Sequence, residues 1–209
     1  MERHPDRSRL NISEEHKAFL WLPTKTGSLH ASIVFSCFSF NWLDCSYNKK
    51  EVFDVSDLPF HMHSLDLFEG HENYKLICTA RNPIHRIFSA FVFSNRYEKK
   101  LEKSEFVKFF SKIMESETYF WDGGLKNTKR EPDYFLRVEN LYEDYLKIPF
   151  VRESKLNLCG ALKELCEKKK NESRKFEVKI QDFYTSDMIE HLYFEFKDYF
   201  DKLEYKPEL

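Results

Sequence analysis

Glycine is scarce in this chain, with five in 209 residues. Where it is rare, each glycine has a stronger claim on a backbone conformation that other residues avoid. The scarcity also removes the usual nucleotide loop, G-x-x-x-x-G-K-[ST]. Gly27 follows Lys25 instead of preceding it, and Leu22 stands where the first glycine of that loop would fall. No apolar run approaches the length of a bilayer-crossing helix. The opening Met-Glu-Arg-His-Pro-Asp-Arg carries no apolar core of a secretory signal. A cytoplasmic, or otherwise soluble intracellular, location without stable membrane insertion is therefore expected. Neither sign of charge dominates: 33 Lys and Arg face 35 Asp and Glu, a net charge of −2. Bulk charge gives no reason to expect a nucleic-acid partner, and any anion site must be a local concentration of positive charge. The five cysteines are odd in number and form no C-x-x-C, so reduced thiols are the simplest reading.

What is present is ordinary for a folded domain. Hydrophobic residues make up 42% and charged residues 33%, and the length suits one domain with its own core. A single domain over residues 1–209 is expected, with 1–16 as a loose polar lead-in. Strand patterns at 18–22, 51–55, 74–80 and 134–138 alternate with helical patterns at 28–42, 83–101, 103–117, 140–147, 153–169 and 185–203. That alternation predicts an α/β fold of three layers around a mainly parallel sheet. Ligands of such sheets bind at the carboxyl ends of the strands.

Residues 19–36 carry the first chemical signal. An apolar strand enters Lys25-Thr26-Gly27-Ser28, and an apolar helix follows. The first backbone N–H groups of a helix lack internal partners, and the helix dipole favours an anion there. Gly27 permits a tight turn, Lys25 adds a mobile cation, and Thr26 and Ser28 add hydroxyl donors. A phosphate is the natural ligand, although Lys-Thr-Gly-Ser read alone is equally a plain turn.

Leu76 to Phe91 carries the second signal. A strand delivers Arg81 at its carboxyl end, and Pro83 opens a helix at a favoured early position. Ser89 lies two turns along that helix. Arg81 as a fork and Ser89 as a hydroxyl donor can face one anion. Arg86 is the competing cation, and a structural carboxylate is the competing partner for Arg81.

Together, Lys-Thr-Gly-Ser after one strand and Arg81-Asn-Pro-x-x-Arg-x-x-Ser89-Ala-Phe after a later one resemble the sulfotransferases that use 3′-phosphoadenosine 5′-phosphosulfate (PAPS). The carbohydrate-type branch, which includes heparan sulfate 2-O-sulfotransferase, is the most similar. Asp133 to Asp144, Asn171 to Lys175 and Thr185 to Tyr205 follow that family's later segments in order, so the resemblance spans roughly residues 18–205. It implies a P-loop-NTPase-like sulfotransferase fold. It also implies that Lys25, Thr26, Gly27 and Ser28 hold the phosphosulfate, while Arg81 and Ser89 hold the 3′-phosphate. Ser173 and Lys175 would close over the nucleotide. The first loop departs from the family pattern: Thr24 is inserted after Pro23, and Leu29 stands where a second hydroxyl is common. Leu29 can donate only through its backbone, and His30 substitutes in part.

Transfer to an alcohol needs a base near neutral pKa. Pro59-Phe-His61-Met-His63 resembles the H-x-H segment of the 2-O-sulfotransferase type, which implies His63 as base and His61 as its orienting neighbour. Both share one face if the segment is extended. His30 and Glu139 are rival bases, and a partial zinc site with His71 is the rival role for the pair. The expected activity is sulfuryl transfer from PAPS to a hydroxyl acceptor (glycan, lipid or small alcohol), releasing PAP without a metal. The alternatives are a P-loop nucleotide kinase or NTPase and a non-catalytic phosphate-binding module.

Overall fold

Strand β2 (Ala18–Leu22) is apolar at every position, and every position is buried. That pattern suits a strand covered on both faces. Alternation sorts its side chains: Ala18, Leu20 and Leu22 join Val34, Phe35, Ile77, Leu136 and Tyr145 in one core. Phe19 and Trp21 turn the other way, against Leu76 and Cys78. The computed structural model describes residues 9–23, 26–38, 40–42, 71–115, 131–167 and 178–209.

Among the described residues the sheet also contains β1 (Arg9–Ser13), β3 (Asn41–Trp42), β4 (Lys75–Ala80) and β5 (Tyr134–Arg137), in the order β3-β1-β2-β4-β5. β4 pairs parallel with β2 and β5, while β1 pairs antiparallel with β2 and β3. Every strand but β1 therefore points the same way. The α/β expectation with a mainly parallel sheet holds.

The helices are α1 (Ser28–Phe35), α2 (Pro83–Ser94), α3 (Lys103–Glu115), α4 (Leu141–Leu146), α5 (Pro149–Arg152), α6 (Lys155–Leu158), α7 (Ala161–Glu167), α8 (Ser186–Glu195) and α9 (Lys197–Lys202). The chain divides into two compact units, where one domain was expected. Met1–Ala80 with Thr118–Lys168 forms the first; Arg81–Glu117 with Lys169–Leu209 forms the second. The first holds the sheet with α1 and α4 to α7. The second holds α2, α3, α8 and α9 around an aromatic core. There the Phe106 ring meets Phe91 at 5.2 Å and Tyr184 at 4.8 Å between centroids, and the Tyr184 hydroxyl donates to the Ile84 carbonyl at 2.8 Å.

Several expected boundaries move. Residues 9–13 are a strand, not part of a loose lead-in. α1 stops at Phe35, and a short 3₁₀ turn precedes β3; the Ser36 hydroxyl donates back to the Ile33 carbonyl at 2.7 Å, a local bond that competes with helix propagation. α2 ends at Ser94 because Asn95 caps it, its side-chain amide donating to the Phe91 carbonyl at 2.9 Å. The helix expected over 153–169 is two helices, broken at Gly160, whose φ is +80°. The final helix divides at Phe196. The strand expected at 51–55 lies outside the described residues.

Candidate anion-binding site

In the first unit, β2 runs through Pro23 into the turn that starts α1. Gly27 is the residue before the helix, with φ 75° and ψ 20°. A side chain there is strained by conformation, and space forbids one as well. A Cβ on Gly27 would lie 2.8 Å from Cγ2 of Val138, well inside ordinary carbon–carbon contact. The scarce-glycine argument thus selects a position where glycine is required.

The start of α1 is open. The Ala31 N–H begins the helical ladder by donating to the Gly27 carbonyl at 3.1 Å. Glycine has no side chain to cap the earlier N–H groups, and no such cap bond forms. No acidic residue lies in the first turn, so the helix itself brings no carboxylate to this end of its dipole. The backbone amides of Ser28, Leu29 and His30 therefore have the character of an anion cradle.

Two side chains expected in that cradle are engaged elsewhere. Thr26 is completely buried at 0% exposure. Its hydroxyl donates to the Pro23 carbonyl at 2.6 Å and lies 2.6 Å from Oγ1 of Thr79, near the end of β4. The expectation that Thr26 offers a hydroxyl to phosphate is corrected: its side chain braces the turn from within. Nε2 of His30 lies 2.9 Å from the Leu165 carbonyl, and Nδ1 lies 3.4 Å from the Tyr145 hydroxyl. A carbonyl only accepts, so Nε2 carries the proton and Nδ1 accepts from Tyr145. Neither ring nitrogen is open to a phosphate or an acceptor alcohol. His30 is thus corrected from cradle side chain and rival base to a packing residue whose backbone N–H alone faces the ligand question.

Val138 is held against Gly27 by the next strand-to-helix turn. Arg137 ends β5, and its guanidinium grips Asp144 with two bonds of 2.9 Å from Nε and Nη2. The Arg137 backbone N–H adds a third at 2.9 Å, and Nζ of Lys147 a fourth at 2.7 Å. Asp144 is 0% exposed. Burial alone would raise its carboxyl, but the bonds from Arg137 and Lys147 outweigh burial and hold it below the ordinary value. Arg137 is thereby a structural clamp. Glu139, a rival base in the sequence, is exposed on the turn that follows.

In the second unit, Arg81 is the first residue after β4, half-buried, and Asn82 caps α2 by accepting from the Ile84 N–H at 3.0 Å. Pro83 occupies the early helical position expected of it. Ser89 is half-buried on the second turn, whereas the competing Arg86 is buried at 6% exposure. Lys25, His61, His63, Ser173 and Lys175 lie outside the described residues, as do the side chains of Ser28 and Leu29. His71 packs in the first unit against the rings of Phe19 and Tyr74, with Nε2 3.8 Å from Glu14. Among the described residues no three His, Cys, Asp or Glu side chains gather as a metal would need.

Sequence reading missed Thr79, Val138 and the Arg137–Asp144 clamp. Thr79 did leave a signal, as a hydroxyl residue inside the apolar run Leu-Ile-Cys-Thr-Ala. Comparison with protein-family models, curated proteins and solved structures finds no match. Among the described residues no helix is long and apolar enough to cross a membrane.

Proposed function

We propose that this chain is a sulfotransferase that moves the sulfuryl group of PAPS to a hydroxyl acceptor. The observation that carries the reading is the turn from β2 to α1. It has a glycine that no other residue can replace without strain, no side-chain cap from that glycine, and no acidic residue in the first turn of the helix. Those features suit a phosphosulfate, and the missing first glycine speaks against the nucleotide loop of kinases.

PAPS supplies an activated sulfuryl group whose leaving oxygen belongs to a phosphate. The amides of Ser28, Leu29 and His30 bind its anionic oxygens. Lys25 stabilises the charge that gathers on the bridging oxygen as the sulfur–oxygen bond breaks and PAP departs with the bonding pair. His63 takes the proton of the acceptor alcohol as its oxygen bonds to sulfur, and His61 orients that alcohol. Arg81 and Ser89 receive the 3′-phosphate, an assignment that rests on the sequence pattern. Ser173 and Lys175 close over the nucleotide, and no metal is needed because side chains and the helix start supply the positive charge. Losing a preorganised donor such as Lys25 costs about 10²–10³ in rate.

The test is thermal unfolding with PAP, PAPS, ATP with Mg²⁺, and GTP. A hundredfold excess over Kd adds about 2.7 kcal/mol, which raises Tm by roughly 5–10 °C at this length. PAP and PAPS are expected to do so. Stabilisation by ATP with Mg²⁺ but not by PAP would make the chain a kinase or NTPase. Binding of PAP without labelled-sulfate transfer to glycans, lipids or alcohols would make it a phosphate-binding module. Full transfer by His63→Ala would remove His63 from the base role.

A further inference from the structure

Thr79 belongs to no motif of the proposed site, yet its hydroxyl lies 2.6 Å from that of Thr26 in the anion loop. Both residues are buried, at 1% and 0% exposure. The direction of the bonds is determined by counting hydrogens. Each threonine hydroxyl has one hydrogen to donate. Thr26 gives its own to the Pro23 carbonyl at 2.6 Å, because a carbonyl cannot donate. Thr79 must then be the donor to Thr26. A one-way relay runs from the end of β4, through the turn, to the last residue leaving β2.

We propose that Thr79 is a positioning residue for the anion loop. By donating to Thr26 it holds the turn so that the amides of Gly27 to His30 keep the orientation an anion requires. It acts through Thr26 and touches no ligand. The proposal rests on the anion-binding reading of this loop, and its test separates the two.

A valine preserves the shape of threonine and deletes the donor; a serine keeps the donor and deletes a methyl group. Thr79→Val, Thr79→Ser, Thr26→Val and the double valine variant are compared as full-length chains. Amide hydrogen exchange is read without ligand, and PAP affinity by calorimetry. In Thr79→Val, exchange at Ala31, whose N–H is held by the Gly27 carbonyl, is expected to rise and PAP affinity to fall, each by roughly five- to tenfold, the equivalent of one buried hydrogen bond. Thr79→Ser restores both to within about twofold, and Thr79→Val adds nothing once Thr26 is valine. Amides of Leu20 and Ile77, in the adjacent core, keep their protection. A uniform rise across core and loop marks general destabilisation and overturns the assignment, as does failure of serine to rescue. Selective loop loosening beside a wild-type chain that ignores PAP supports the relay and sinks the PAPS reading.

Discussion

Replacing Gly27 by alanine joins two penalties that can be measured apart. The first is conformational: an alanine held at φ 75° costs about 1–2 kcal/mol. The second is steric: the new Cβ would meet Cγ2 of Val138 at 2.8 Å, and relieving such overpacking costs about 1–3 kcal/mol. Their sum, about 2–5 kcal/mol, is a large part of the 5–15 kcal/mol typical of a domain. Urea unfolding followed by tryptophan fluorescence is a suitable assay. Trp21, Trp42 and Trp121 all belong to chain segments of the first unit, so the signal reports on the unit that holds the loop. With a urea slope of about 2 kcal/mol per M, the midpoint should fall by about 1–2.5 M. Val138→Ala removes the clash and leaves the strain. In that background Gly27→Ala should therefore cost about 1–3 kcal/mol less, the steric part alone. An equal cost in both backgrounds would refute the close approach of Val138. A cost under about 0.5 kcal/mol would refute the left-handed turn itself.

Two further outcomes follow from the titrating groups. Asp144 has a folded pKa below its unfolded value, so its contribution is complete above about pH 4 and fades as pH falls through the folded value. Asp144→Asn should abolish that acid-side loss and cost about 3–5 kcal/mol at pH 7, because it breaks the ion pair of a fully buried carboxylate with Arg137; urea titrations from pH 7 to 3 check both. The Cys166 thiol is pushed up to about 12, first by burial and then by Glu143 and Glu167, and Cys78 is buried. Cys37 and Cys159 are exposed and line a cavity of about 770 Å³ with Phe38, Leu156 and Leu158. Alkylation at pH 8 followed by mass spectrometry should modify those two more than tenfold faster than Cys78 and Cys166.

Legibility from sequence followed the physics of each element. β2 and β4 were plain because strands buried on both faces leave continuous apolar runs. Gly27 was plain because a rare residue beside a cation suggests a backbone need, and the structure supplies that need. β1 was hidden because two of its buried positions are polar, Asn11 and Ser13, at 4% and 0% exposure. A polar residue in an anion loop also does not announce which way it faces. Thr26 and His30 both turn inward, a result of tertiary packing against Thr79, Leu165 and Tyr145 that no local pattern encodes. The two short helices Lys155–Leu158 and Ala161–Glu167 read as one because their apolar spacing continues across Gly160. The Arg137–Asp144 clamp was not legible because its two members lie seven residues apart, across a strand end and the start of a helix, and only the fold turns them together.

The interleaving of the two units has a consequence for synthesis. β4 ends at Ala80, but the strand that covers its second edge ends at Arg137, 57 residues later. At ribosomal speeds of about 5–20 residues per second, that edge stays open for roughly 3–11 seconds. Its sequence, Leu-Ile-Cys-Thr-Ala, has the composition that pairs readily with a stranger's edge. The first unit also cannot close until Lys168 has emerged. A nascent chain stalled anywhere between residues 81 and 133 therefore presents an unpaired parallel edge to its surroundings. Shortening the gene at the apparent boundary near residue 80 would make that vulnerable intermediate permanent.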